Sequence, residues 1–438
     1  MSVTDTHKQY QAMSDHWAQM RDVMAGQTRI HHRAQTYLPK LDGQDSDEYN
    51  AYVKRAGFFN ATQRTVDGLS GMVFRKEPTT NLPETMEAIR QDVTMDGDNL
   101  TTFAEMLVEE LLVVSRAGIL VDFPRGDDVT SLAQAQSENR RPYMKLYLAE
   151  NIINWRTTHI NNKTMLTQVR LTEFVEAPDP RDEFKTNEIK QVRVLELVID
   201  EQSTTPFYRQ RVFREGQDGQ FEEVDRVVPV MNGQPLSFIP FVFSVPRGTT
   251  SEVARPVLLD MADVNLSHYR TVADLEHAAH FVALPTPYIF GVTEDEKPSA
   301  VGPTVLWTAQ DPNAQAGMVE FTGTGLKALE ARRENKEGQM AALGARMLAP
   351  EKAQAESGEA LTIRRSGEMS MLSSLANAAS TALTEAVQIM ADWNGTAVDV
   401  EIELNTDFVA APMKPDMIKQ LMATWQAGGI AFEDFIWN

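Results

Sequence analysis

Apolar residues recur at three- and four-residue intervals over three long stretches of the C-terminal half, which predicts three extended helices. The first, 251–283, carries Val257, Met261, Val264, Tyr269, Val272 and Leu275 on its stripe. Ser251 suits the N-cap, Glu252 the first turn and Pro256 an early helical position, and Pro285 and Pro287 end the pattern. A helix of about thirty residues is a rod of roughly 45 Å, and such a rod needs neighbours to cover its stripe. The second rod runs from about 325 to 348, and the third, from about 359 to Trp393, stops at Asn394-Gly395. Between the first two lies an extended insert, 284–321, broken by Pro and Gly. A loop of small and charged residues, 351–358, follows Pro350.

The N-terminal half begins with helical spacing over 5–25, through Tyr10, Met13, Trp17, Met20 and Met24. A loop or short helix is expected over 30–41, and a helix capped at Asp45 runs to Ala56. Another spans 58–74, where Gly68 and Gly71 predict close approach to a second helix. A strong helix over 100–117 is expected to close at Gly118 and lead into a buried strand, 119–123, ended by Pro124. From Pro142 the period falls to two. Strands are predicted over 143–148, 152–157, 165–175, 191–199, 207–214, 221–230 and 238–244. Asn161-Asn162, Ala177-Pro178-Asp179-Pro180 and the segment 216–219 read as turns between them. Such short spacing predicts an antiparallel meander, so residues 1–250 read as helices followed by β structure, an α+β class. A strand at 398–404 and a helix over 416–425 follow the third rod. A last helical pattern beginning at Phe432 is cut short at Asn438, which suggests an incomplete tail.

The chain has 438 residues, 42% of them hydrophobic, enough for a large core divided over two or three subregions. It contains no apolar run of eighteen residues, so no membrane span is predicted, and the polar start lacks the apolar region of a secretory signal. Having no cysteine, it cannot form disulfides, thiolate nucleophiles or thiolate zinc sites, and this fits a reducing compartment. A formal charge of −21 argues against tight nucleic-acid binding but suits a protein that lets nucleic acid pass without sticking.

No phosphate-cradling GxxxxGK[ST], dinucleotide GxGxxG, GxSxG elbow or HExxH is present. Gly323-Thr324-Gly325 resembles half of a GxGxxG but precedes a charged helix. His277 and His280 stand three apart on the first rod near Asp274 and Glu276, with His268 upstream, a spacing that can turn two imidazoles toward a metal. Their flanks, Ala278, Ala279, Phe281 and Val282, favour packing instead, so no metal, cofactor or catalytic group is expected. His31-His32-Arg33 reads as a solvated basic spot. The acid pairs Glu109-Glu110 and Glu222-Glu223 read as solvent-facing.

The segment Tyr37-Leu38-Pro39-Lys40-Leu41, then Tyr49, Tyr52, Arg55 and Ala56, leads into Phe59-Asn60-Ala61-Thr62 and Arg64-Thr65-Val66-Asp67-Gly68-Leu69, followed by Gly71-Met72-Val73-Phe74-Arg75-Lys76. With Asp263 to Arg270, Asp274-Leu275-Glu276-His277, Leu284-Pro285-Thr286-Pro287 and Glu356-Ser357-Gly358-Glu359-Ala360-Leu361, this resembles a family of portal proteins, the head–tail connectors of tailed bacteriophages and prophages. The resemblance covers about residues 35–405.

The resemblance implies a homo-oligomeric ring, usually a dodecamer, at one capsid vertex of a virion assembled in the host cytoplasm. Double-stranded DNA would pass through it without sequence preference. Terminase, a head–tail adaptor and the major capsid or scaffolding protein would be its partners. On that pattern 1–250 would be the wing, 251–283 and 322–349 the two stem helices, 284–321 the clip and 350–358 the tunnel loop. Residues 359–412 would be a long wing helix plus strand, and 413–438 the crown. The cations nearest the implied channel are Arg332, Arg333, Lys336, Lys352, Arg364 and Arg365. Pairing with Glu330, Glu334, Glu337 and Glu368 is the competing role for them. Pro285, Pro287, Tyr288 and Trp307 are the partner-facing candidates of the clip. Two alternatives remain: another ring-forming adaptor without DNA passage, and a metal-dependent enzyme using His268, His277 and His280.

Overall fold

The computed structural model describes residues 2–124, 139–160, 162–179, 181–199, 206–216, 218–283, 286–298, 300, 305–319, 323, 325–345, 370–396 and 398–408. The chain opens with α1 (Lys8–Met24), α2 (Gln27–His32), α3 (Ala34–Tyr37), α4 (Ser46–Arg55) and α5 (Ala61–Val73), then β1 (Thr79–Asn81), α6 (Glu87–Gln91) and α7 (Leu100–Val113). Side-chain caps fix several starts. Asp45 and Glu48 form a reciprocal capping box on α4, Asn60 caps α5, and Asn99 caps α7.

Strands β2 (Ala117–Asp122), β3 (Tyr143–Leu148), β4 (Ile152–Ile160), β5 (Lys163–Asp179), β6 (Asp182–Val198), β7 (Phe207–Glu215) and β8 (Phe221–Val227) follow. After them come the short β9 (Val230–Met231) and β10 (Gln234–Pro235), and then β11 (Phe241–Ser244). The meander predicted by the alternating pattern is present as a five-stranded antiparallel sheet, β4-β5-β6-β7-β8. A separate sheet runs β11-β2-β3, buried on both faces of β2. The C-terminal part supplies α8 (Leu259–Ala283), β12 (Thr286–Phe290), β13 (Gln315–Val319), α9 (Leu326–Ala345), α10 (Met371–Trp393) and β14 (Glu401–Glu403). The molecule is thus mixed α+β. None of its described helices is long and apolar enough to cross a membrane.

The main core lies where α7 and α10 pack over β2 and β11. Leu372, Leu375, Ala379, Leu383 and Met390 of α10 are buried, and alanines between them let the helix lie close. β14 returns to pair with β1, Thr80 opposite Ile402, which ties the C-terminal segment to the N-terminal helices. A buried polar cluster joins the two larger sheets. Glu173 of β5 accepts hydrogen bonds from Tyr147 and Lys145 of β3 and from Gln191 and Arg193 of β6.

Several expectations are corrected. The first rod starts at Leu259, not Ser251. Arg255 precedes Pro256 and is kept from helical geometry, while the carbonyls of Ser251 and Glu252 accept hydrogen bonds from Arg116 Nη1, both at 2.9 Å. α7 ends at Val113, where Ser115 takes a left-handed φ of 60° and its hydroxyl accepts from the Val257 amide. Gly118 is therefore not a helix terminator. It sits inside β2, where an added Cβ would lie 2.2 Å from Phe241 Cζ. The Pro178 segment read as a turn is the end of β5, Pro178 opposing Thr186 at an edge where a missing N–H is tolerated.

Among the described residues Gly68 and Gly71 have no atom within 4 Å of an added Cβ, so they mark no close approach of a described helix. The tight contact is Gly344 of α9 against Thr65, at 3.2 Å. Glu110 is not solvent-facing: Arg21 clamps it at 2.6 Å and Glu150 at 2.8 Å. Glu109, Glu222 and Glu223 are exposed as expected, and Glu223 also pairs with Arg211 and Arg226. In the basic spot at residues 31–33, His31 meets the Ala56 carbonyl and Arg33 meets Asp22, while His32 is exposed as expected. The third rod is seen as α10, whose N-cap Ser370 accepts from the Ser373 amide; its expected first part, 359–369, lies outside the described residues.

Candidate functional site

α8 and α9 pack against each other as an antiparallel-reading hairpin pair joined through β12 and β13, and this hairpin carries most of the singled-out residues. On α8 the buried positions stop at Leu275, and on α9 only Met340 is buried among the described side chains. The hairpin therefore leaves the core as it approaches β12 and β13. Those two strands pair from Thr286 opposite Val319 to Phe290 opposite Gln315.

Lys336 is not a free cation. Its ammonium donates to the Ser267 carbonyl at 2.7 Å and to the Thr271 hydroxyl, pinning α9 to α8. Burial pushes its pKa down, and the neighbouring guanidiniums of Arg332 and Arg270 add to the shift. That is a correction to both sequence readings: Lys336 neither projects toward solvent nor forms an i,i+4 pair. Arg333 does make the expected pair, its Nε 3.4 Å from Glu337. Arg332 is exposed. Arg270 of α8 completes the local positive field. Sequence spacing does not single it out, because it lies on the other helix and acts on Lys336 only through hairpin packing. Lys352, Arg364 and Arg365 lie outside the described residues.

The histidines are packing and bridging groups in this arrangement. His268, 2% exposed, has Nε2 3.2 Å from Glu337, linking α8 to α9. His277 meets Tyr52 and Phe281 edge-on, at centroid distances of 5.0 and 4.8 Å. Burial, Arg55 and His280 hold its pKa below the ordinary imidazole value. Tyr52 in turn donates to Asp274 at 2.6 Å, tying α4 to the hairpin, and burial with that bond pushes its pKa well up. The described residues contain no group of three or more His, Asp or Glu arranged for a metal ion.

At the tip, Pro287 opposes Met318 and Tyr288 covers Gly317, where a Cβ would fall 2.7 Å from the phenol oxygen. Trp307 is half-buried, its indole N–H donating to the Ala300 carbonyl at 3.2 Å. Pro285 lies outside the described residues. Phe290 and Leu306, which the sequence reading did not single out, are 64% and 85% exposed. Neither joins the hydrophobic core. Their signal was available as apolar residues inside a Pro- and Gly-broken insert.

A family model described as Domain of unknown function (DUF4055) matches residues 257–394. No curated protein matches. Among solved structures, the chain is similar to one from "Virion of native gene transfer agent (GTA) particle", with 12% identity, a TM-score of 0.39, and coverage of 89% of this chain and 92% of that one. A chain from "Neck of empty GTA particle computed with C6 symmetry" matches at 11% identity and a TM-score of 0.39, covering 87% of this chain and 89% of that one. One from "Neck of native GTA particle computed with C12 symmetry" matches at 9% identity and 0.33, with the same coverage. The family match spans α8, the β12–β13 tip, α9 and α10, so the hairpin and the long helix are what this chain shares with that family.

Proposed function

We propose that this chain is a portal protein of a tailed phage or prophage, forming a closed ring, usually of twelve copies, at one capsid vertex. The ring conducts double-stranded DNA during packaging and ejection and docks terminase, then a head–tail adaptor. It performs no catalysis. One observation carries the reading. The α8–α9 hairpin runs out of the core: beyond Leu275 none of the apolar positions of α8 is buried among the described residues, and Phe281 and the β12–β13 tip residues Phe290 and Met318 are exposed. Rods repeated about a cyclic axis bury such stripes against each other across heterologous contacts. The sequence resemblance around Asp263 to Arg270 and Glu356 to Leu361 supports the same reading.

Charge fits the task. Twelve copies of a chain at −21 carry roughly −250, a field that repels phosphate and limits sticking. Arg332 and Arg270 are the described cations left to touch a passing backbone, together with Lys352, Arg364 and Arg365, which stay in the proposal on the sequence alone. Pro287, Tyr288 and Trp307, joined by Phe290 and Leu306, form the surface for terminase and adaptor. End-on negative-stain images of the purified protein should show rings with an axial hole. A population of single compact particles rejects the proposal. Lys352→Glu should impair packaging or DNA retention, and unchanged packaging removes that residue from the channel set.

A further inference from the structure

The β5–β6 hairpin outruns its sheet. Pairing of β4 with β5 stops at Leu171 and pairing of β7 with β6 stops at Gln191, but the β5–β6 ladder continues to Asp179 opposite Asp182. Beyond Glu173 the hairpin is a two-stranded ribbon with both backbone edges open among the described residues. Such a ribbon is marginal by itself in water, and open edges seek partners. Glu176 stands directly opposite Glu188, a like-charge pair that weakens the ribbon further. Phe174 is 55% exposed and Phe184, beside Asp182 and Glu183, is 90% exposed.

The same chain has a complementary feature elsewhere. Between α5 and α9 lies a largely apolar cleft of about 390 Å³, lined by Phe59, Gly68, Met72, Met261 and Met340, with Arg64 and Glu337 on its wall, Glu337 being engaged by His268 and Arg333. The exposed Arg64 guanidinium lies 5.0 Å over the Phe59 ring, and no carboxylate pairs with it among the described residues. A methionine-lined cleft adapts to an inserted aromatic ring, and an arginine at its side matches an aromatic flanked by acids.

We propose that the Phe184 tip of one copy seats in the Phe59–Met340 cleft of a second copy, with Asp182 and Glu183 against Arg64. Phe184 is open to solvent among the described residues of its own chain, as a donor to a second copy must be. Donor and acceptor patches differ, which makes the contact head-to-tail and able to propagate around a ring. The inference rests on the ring reading and adds the contact that locks neighbours together.

The chain has no cysteine, so paired thiols can be placed without background. Lys185, beside Phe184, is exposed, and Gly68 has open space around an added Cβ and no left-handed φ, so both accept cysteine while Phe184 stays in place. Mild oxidation of the K185C/G68C double variant should give a ladder of disulfide-linked chains on a non-reducing gel, absent from either single variant. Chains that stay unlinked in a particle of ring mass overturn the docking and leave the ring standing. Unlinked chains at the mass of one copy overturn both. A faster-running single chain means the ribbon fills its own cleft, which also overturns the docking. In parallel, Phe184→Ala should weaken association of copies at least about tenfold, with Phe184→Tyr near the parent, as expected for an aromatic anchor in a pocket. Unchanged association in Phe184→Ala overturns the proposal independently.

Discussion

Arg116 is fully buried, its guanidinium 4.1 Å over Trp155 and 4.7 Å over Phe243, with no ion pair among the described residues. Burial pushes its pKa down to about 9. The residue spends its charge on the Ser251 and Glu252 carbonyls, and so fixes where α8 begins. Arg116→Ala should cost about 3 kcal/mol or more, because it opens a cavity and orphans two carbonyls. Denaturation midpoints and amide exchange over 249–258 report it, and protection unchanged there would deny the latch. Glu173 offers a pH test. Burial alone would raise its pKa, but Arg193, Lys145 and the Tyr147 hydroxyl outweigh this and lower it from 4.5 to about 2. A depressed folded pKa stabilises above the unfolded value, so the contribution is present above pH 4.5 and fades as pH falls toward 2. The magnitude is roughly 3 kcal/mol. Thermal melts should show Glu173→Gln less stable near neutrality and flatter than the parent between pH 4.5 and pH 2.

Elements meet at contacts that hydrophobic period alone does not encode. Gly118 lies inside β2 because the Phe241 ring of β11 occupies the space a Cβ would need. Gly118→Ala is expected to destabilise by about 1–3 kcal/mol through overpacking, measured by urea unfolding. In the hairpin, Lys336→Met removes two donors into α8. It should cost about 1–2 kcal/mol and raise exchange of α9 amides, whereas Arg332→Ala, at an exposed position, should change stability by less than about 0.5 kcal/mol. Equal effects of the two would mean that Lys336 does not hold the helices together. The turn read at Ala177-Pro178-Asp179-Pro180 shows the same limit. Its residues carry turn chemistry, yet the strand runs on through Asp179 because Ala177 and Pro178 are paired by Asn187 and Thr186 on a ribbon without outer neighbours.

At the scale of the whole molecule, acidity should decide behaviour toward DNA. Duplex added to the purified protein near physiological salt should bind more weakly than about 1 μM, the tight end of ordinary non-specific binding, by fluorescence anisotropy. Tighter, salt-sensitive binding would contradict a channel that repels its cargo. The two rods, the meander and the α+β class were legible in the sequence, since each follows from a period of apolar residues repeated over many positions. The sites were less so. Arg332, Arg333 and Lys336 lie within about one turn of helix and looked alike, but α8 captures Lys336, Glu337 pairs Arg333, and Arg332 is left exposed.

By itself, then, the order of residues determined periods, caps and charge: helical spacing over 5–25, a helix capped at Asp45, the long apolar stripe that ends before Pro285, a two-residue alternation from Tyr143, and a surplus of carboxylates. These are local or additive quantities, decided by neighbours a few positions apart or by simple counting. Which cations remain free, why Gly118 must be small, where α8 starts and how far the β5–β6 ribbon stands clear were decided only by tertiary structure. Each depends on a group distant in sequence, 65 residues away for Lys336 and Thr271 and 135 for Arg116 and Ser251, or on the place where a neighbouring strand ends, and nothing in a short window of sequence specifies either.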